Sequence, residues 1–272
     1  MKKLIVTASC IAVGLCVAMR TGLAADMALK APPPAPAPVC NWCGWYVGAN
    51  GGYGWGNSTG NIDPNFPNVF GAAAAVASGF IPSNLAVRPQ GGFGGGQIGY
   101  NWQSAQWVWG LEADIQGSAI KNNSTVLFAP AGVVGSTTTT SDNLNWFGTA
   151  RLRAGVLASP NLLLYGTGGL AYGHVGENVA IVGNPAASAL FVGSGSQTRL
   201  GWSAGAGAEW MVTNNISLKA EYLFVDLGRT SVTTTDPLGV FPGAFFAYNF
   251  KSEFNMVRAG VDWHFGGLAV AK

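Results

Sequence analysis

Glu112 and Asp114 are the residues best equipped for chemistry in this chain, two carboxylates two residues apart. Such a pair suits general acid–base work. Arginines stand at the same spacing in Arg151 and Arg153, however, and structural ion pairing accounts for the carboxylates better. Gly94-Gly95-Gly96-Gln97-Ile98-Gly99 satisfies the G-x-G-x-x-G pattern. A dinucleotide site needs that pattern on a turn between strand and helix, and here it lies within a strand. Gly201-Trp202-Ser203-Ala204-Gly205 matches the nucleophile elbow, and His264 lies downstream. That motif needs a strained strand-to-helix turn, and no helical pattern follows Ser203. His174 and His264 lack the spacing of a metal site; His174 reads as a polar residue near a loop and His264 as an interior residue near one end. Cys40-Asn41-Trp42-Cys43 is a C-x-x-C motif without the βαβ context of a redox pair, so it reads as a local disulfide or two idle thiols. No catalytic centre, cofactor site or metal site is expected.

The elements that hold these residues follow from composition. Only 10% of the residues are charged, 49% are hydrophobic and 40 of 272 are glycine, which suits neither an ordinary soluble surface nor a disordered tail. Residues 1–24 read as a secretory signal: Lys2 and Lys3 precede an apolar stretch, and Gly22-Leu23-Ala24 supplies small residues for cleavage after Ala24, with Ala25 the near alternative. The competing reading, an uncleaved anchor, needs about 20 apolar residues, more than this run holds. Losing Lys2, Lys3 and Arg20 from 14 basic residues leaves 11 against 12 acidic ones. With no basic run in the mature chain, nucleic acid is excluded as a partner. Residues 25–43 read as a periplasmic linker, because Pro32, Pro33, Pro34, Pro36 and Pro38 favour extended polyproline II.

Beyond Gly44 the hydrophobic pattern has period two, and no stretch after the leader is long and apolar enough for a transmembrane helix. Alternation predicts eight strands, near residues 45–55, 93–102, 107–116, 144–156, 162–173, 200–212, 216–226 and 254–265. In 107–116, Trp107, Trp109, Leu111, Ala113 and Ile115 oppose Glu112, Asp114 and Gln116; in 144–156, Leu144, Trp146, Ala150, Leu152, Ala154 and Val156 oppose Asn145, Thr149, Arg151 and Arg153. The facing of 162–173 is left open by its glycines. Strands of ten to thirteen residues fit the length a tilted strand needs to cross a bilayer. Short turns near Ser104, Pro160 and Asn214 alternate with long connections over 57–90, 118–142, 175–198 and 229–252. This is the asymmetry of an outer-membrane barrel with its loops outward.

Alternation alone also fits a soluble barrel, and charge separates the two. The polar faces carry five acids (Glu112, Asp114, Glu209, Glu221 and Asp262) and four bases (Arg151, Arg153, Lys219 and Arg258). They are too few to solvate the outside of a cylinder, but they are balanced enough to pair inside one, where glycines leave room for them. Trp45, Trp55, Trp102, Trp107, Trp146, Trp210 and Trp263 then form aromatic girdles at the two interfaces. The expected fold is an all-β, eight-stranded antiparallel up-and-down transmembrane β-barrel over 44–265, with a short tail at 266–272.

Several ordered strings carry a family resemblance. They are Gly44-Trp45-Tyr46-Val47-Gly48 after the Pro-rich linker, Trp146-Phe147-Gly148-Thr149-Ala150-Arg151, the run from Leu164 to Gly173, and the run from Ser217 to Gly228. Together they resemble the small porin-like outer-membrane proteins of alphaproteobacteria, relatives of the OmpA-type transmembrane barrel. The resemblance implies the cell outer membrane as location, its lipid as partner, and roles in envelope integrity, surface antigenicity or, in some members, hemin binding. It implies contact with cell-wall or host-surface ligands through the loops; the alternative function is a narrow porin or a loop-held small-ligand site. Two features depart from the family: Cys40 and Cys43, and a chain that continues past Phe265, where the family usually ends on an aromatic residue.

Overall fold

The computed structural model describes residues 40–62, 76–77, 81–129, 135–183, 190–240 and 245–265. The expected leader, the linker up to residue 39 and the tail at 266–272 lie outside them. Among the described residues nine strands follow one another: β1 (Gly44–Ile62), β2 (Asn84–Val87), β3 (Gln90–Ser104), β4 (Trp107–Phe128), β5 (Ser136–Ser159), β6 (Leu162–Gly183), β7 (Leu190–Met211), β8 (Ile216–Thr235) and β9 (Phe245–His264). Consecutive neighbours pair antiparallel from β3 to β9, and β9 pairs back onto β1 from Tyr46↔His264 to Ile62↔Tyr248. Pairing of β9 onto β1 closes the ring, so the lipid-spanning part of the sheet has no open edge, which hydrocarbon would not tolerate.

Nine strands make eight staves. β2 and β3 both lie along β1, at Ser58–Asn61 and Gly44–Trp55 respectively. The break between them falls at Arg88 and Pro89. Proline has no N–H to give to a ladder, but the Pro89 carbonyl still accepts the Gly56 N–H at 2.7 Å.

Every second residue of each stave faces lipid. Trp45, Trp102, Trp107, Trp210 and Trp263 stand outward near one end and Trp55 and Trp202 near the other, each at least 40% exposed, while Glu112, Arg151, Lys219 and Arg258 point inward and are buried. β6 obeys the same rule: Leu163, Tyr165 and Ala171 are inside, Leu164 and Leu170 outside.

Two expectations are corrected. The strands run for 15 to 24 residues, apart from the short β2, so most of the stretches expected to be long loops are strand. β4 and β5 remain paired as far as Phe128↔Ser136, and β6 and β7 as far as Val182↔Leu190. Above the lipid no apolar face is needed, so the hydrophobic alternation stops while β-branched residues such as Thr137 to Thr140 continue the ladder. The second correction is Leu144, expected outward with Trp146. The ladder to β6 shifts register, leaving Asn145 over between Leu144↔Val175 and Trp146↔His174. Leu144 therefore turns inward and is buried, as expected when a bulge resets which face a strand presents.

Candidate functional site

The interior is stacked in layers whose order repeats from stave to stave. At the end with short turns, Trp42, Val108, Leu163, Tyr165 and Met211 form an apolar stopper. Cys40 and Cys43 are joined by a disulfide, and the small loop they close seats Trp42 in the barrel mouth. Its indole Nε1–H donates to the Pro160 carbonyl at 3.1 Å, and its backbone N–H to Gln103 Oε1 at 3.2 Å.

Above the stopper lies the charged layer. Arg151 is its centre, bonded to Glu112 and Glu221 and 3.1 Å from Asp114. Arg258 bridges the same three carboxylates at 3.0 to 3.2 Å. Lys219 donates to Glu112 at 2.9 Å and lies 3.8 Å from Asp262. Arg153 reaches Glu209 at 2.5 Å and lies over the Tyr165 ring, 4.1 Å from its centroid. All nine charged residues expected to line the lumen are brought together here. They come from β4, β5, β7, β8 and β9, because inward positions at one height on neighbouring staves converge on the axis. Gly99 helps make room, since a side chain there would collide with the Tyr46 ring.

The layer also holds two tyrosines that were not among the expected lumen charges, and His264, expected in the interior near one end, joins it. The Tyr46 hydroxyl donates to Glu112 at 2.7 Å and that of Tyr165 to Glu221 at 3.0 Å. His264 lies 3.2 Å from Glu209, which also accepts from the Ser217 hydroxyl at 2.6 Å. Parity would have placed Tyr46 inside; for Tyr165 the glycine-rich stretch hid it. Most carboxylate oxygens and guanidinium nitrogens of the layer are engaged with one another, while Asp262 Oδ2, His264 Nδ1 and the Nε atoms of the three arginines have no hydrogen-bond partner.

The motifs with catalytic precedent are dispersed. Gly94 to Gly99 lie within β3, and Ser203 is buried within β7 while His264 is engaged with Glu209 and Ser217. His174 stands on the outer side, stacked on Trp146 at 6.2 Å and in contact with the Ser196 hydroxyl at 2.8 Å.

Beyond the charged layer, Ile120, Leu144, Phe147, Val175, Leu223 and Phe254 belong to an apolar layer that fills the bore. Above it Asp142 on β5 and Glu177 on β6 point inward at directly paired positions, both 1% exposed. These two acids lie in stretches expected to be loops, and no sequence signal set them apart. Burial pushes the Asp142 carboxyl up to about 6; burial, reinforced by the charge of Asp142, pushes Glu177 up to about 7. A last apolar layer, including Ile181, Phe191, Val232, Tyr248 and Phe250, closes the outer end.

Several known proteins are similar to this chain. A family model described as outer membrane protein beta-barrel domain matches residues 21–265. Over 249 residues the chain is 36% identical to the 31 kDa outer-membrane immunogenic protein of Brucella melitensis, covering 90% of this chain and 94% of that one. It is 32% identical over 190 residues to the 22 kDa outer membrane protein of Rhizobium leguminosarum, covering 70% and 66% respectively. Among solved structures, the outer membrane protein OprG from Pseudomonas aeruginosa aligns over 82% of this chain and 97% of its own, at 13% identity and a TM-score of 0.44. With strands closed into a ring, apolar residues outside and charges inside, the chain belongs to the outer-membrane protein β-barrel family and resides in the outer membrane.

Proposed function

We propose that this barrel is a sealed, non-catalytic scaffold. It contributes to envelope integrity and presents its extended hairpins at the cell surface, where they serve as antigen and as contact for cell-wall or host ligands. The observation that carries the reading is the Arg151 guanidinium bonded among Glu112, Asp114 and Glu221 across the bore, with apolar layers below and above it. An interior of eight staves is just wide enough for side chains to fill, and here charged and apolar layers fill it in turn. The Brucella relative's description as immunogenic supports a surface-exposed role.

Single-channel recording of the mature protein in planar bilayers tests the sealed bore. Wild type is expected to show no steady conductance. Steady openings in wild type that vanish when Arg151 is neutralised would replace this reading with a narrow porin, and hemin-type ligand binding by the hairpins would be sought next.

A further inference from the structure

We infer that Asp142, Glu177, Ser58, Thr230 and Ser252 form a binding site for one divalent hard cation of the calcium type, enclosed above the lipid-facing belt. Five staves place them at one height. On β5, β6, β8 and β9 the inward residues just below belong to one apolar layer (Leu144, Val175, Leu227, Phe254), and on β6, β8 and β9 those just above belong to another (Val179, Val232, Phe250). Between these layers neither the carboxylate oxygens of Asp142 and Glu177 nor the hydroxyls of Ser58, Thr230 and Ser252 make a hydrogen bond of good geometry. All five side chains are at most 2% exposed. The Ser58 hydroxyl neighbours the Asp142 carboxyl, and the Thr230 hydroxyl neighbours that of Glu177. Ser252 sits directly beside Ser58 in the β1–β9 ladder.

Two acids at directly paired positions repel when both are ionised, and a buried carboxylate without partners is costly. In the layer below, five acids are met by four bases; here no base takes that part. Arg199 is the nearest positive influence on Glu177, and its guanidinium is turned onto the Arg229 carbonyl. Two carboxylates and three hydroxyls are an all-oxygen set carrying two negative charges, with no His or Cys sulfur or nitrogen, which suits a hard divalent ion and not a soft one. The weakest part of the wall around the site is its β7–β8 side, where the ion would enter. The β7–β8 ladder is interrupted between Val192↔Thr235 and Trp202↔Asp226, and Gly195, the β7 neighbour of Glu177, lies in that interval. With Glu177 pushed up to about 7 and Asp142 to about 6, the pair still holds protons at pH 6.5, chiefly on Glu177, and occupancy there displaces them.

Calorimetric titration of CaCl2 into the mature protein tests the site, using protein refolded in neutral detergent without lipopolysaccharide and stripped with EDTA. One Ca2+ per chain is expected, with a dissociation constant of about 10⁻⁴ to 10⁻³ M, weakened at least about tenfold in Glu177→Gln. At pH 6.5 wild type is expected to release protons on binding, read from titrations in buffers of different ionisation enthalpy. Arg199→Gln is expected to tighten binding. Heat-modified gel mobility verifies that each variant is folded; if Glu177→Gln fails to fold, Thr230→Val is compared instead, with measurable weakening expected. Absence of Ca2+ uptake by wild type, or equal uptake by wild type and the folded variant, overturns the inference and assigns the layer to bound protons or water.

Discussion

Arg151 and Arg258 each bridge Glu112, Asp114 and Glu221, so neither base is a simple partner of one acid. Removing one member of such a buried network leaves charge uncompensated, which costs far more than the network contributes relative to an apolar replacement of all its members. Arg151→Gln is therefore expected to destabilise the folded barrel by about 3–5 kcal/mol. Arg151→Lys should lose less, since it keeps the charge and gives up only the fork. Urea unfolding in detergent measures both, and an Arg151→Gln midpoint equal to wild type would refute the network's role. Asp142 and Glu177 behave differently because they lack such partners. Glu177 holds its proton up to about pH 7 when folded, against an ordinary value of 4.5. The native state thus binds this proton where the unfolded chain does not between those values, so the contribution of Glu177 to stability is fully present below pH 4.5 and is lost as pH rises through 7. Neighbouring Asp142 pushes in the same direction and Arg199 opposes it. In EDTA, wild type should lose on the order of 3 kcal/mol relative to Glu177→Gln between pH 4.5 and pH 8. A constant difference across that range would contradict the burial of an unpaired Glu177. The nine lower charges were legible because they fall on strict alternation beside lipid-facing residues. Asp142 and Glu177 were not, since outside the membrane both faces of a strand are polar enough to read as loop.

At the scale of elements, the lipid-spanning half of each stave is written into the sequence by period two, and its outer half is not. Trp107 to Ile115 alternates because hydrocarbon lies on one side and packed charge on the other; Lys121 to Val126 meets water outside and carries no such signal, yet continues β4. Register shifts are the other illegible feature. Nothing in Leu144-Asn145-Trp146 says that the ladder resets there, so Leu144 was read as facing lipid. Its burial against Phe147, Val175 and Ile120 has a measurable consequence. Leu144→Ala should open a cavity in the bore and cost about 2–5 kcal/mol. Leu152→Ala, on the same strand but 66% exposed to the lipid side, leaves no internal cavity and should cost clearly less in the same urea titration. Equal costs would return Leu144 to the outer face. Pro89 shows the reverse case, where a sequence signal was present: a proline between two runs of strand breaks the stave locally while β1 holds both pieces in line.

For the whole molecule, the closed ring, the inward charges and the end bearing short turns follow from one constraint, that every backbone group within hydrocarbon be paired inside the protein. That constraint made the architecture readable from residues 44–265, because only a closed sheet satisfies it with strands. It does not fix which end faces the cell. Orientation rests on the asymmetry between the tight turns and the long hairpins, and on Trp42 and the Cys40–Cys43 disulfide, which lie at the tight-turn mouth. A periplasmic linker ending at residue 43, as expected from the sequence, would put that end inward. Two engineered cysteines test this without disturbing the bore. Thr125 is exposed on the outer extension of β4, and Gln106 is exposed in the tight turn between β3 and β4. With the resident cysteines held in their disulfide, Thr125→Cys in intact cells should react with a membrane-impermeant maleimide, and Gln106→Cys should react only after the outer membrane is permeabilised. The opposite pattern would invert the barrel. The hairpins carrying Asp142 and Glu177 would then face the periplasm, and the proposed surface role would fail while the barrel itself stood.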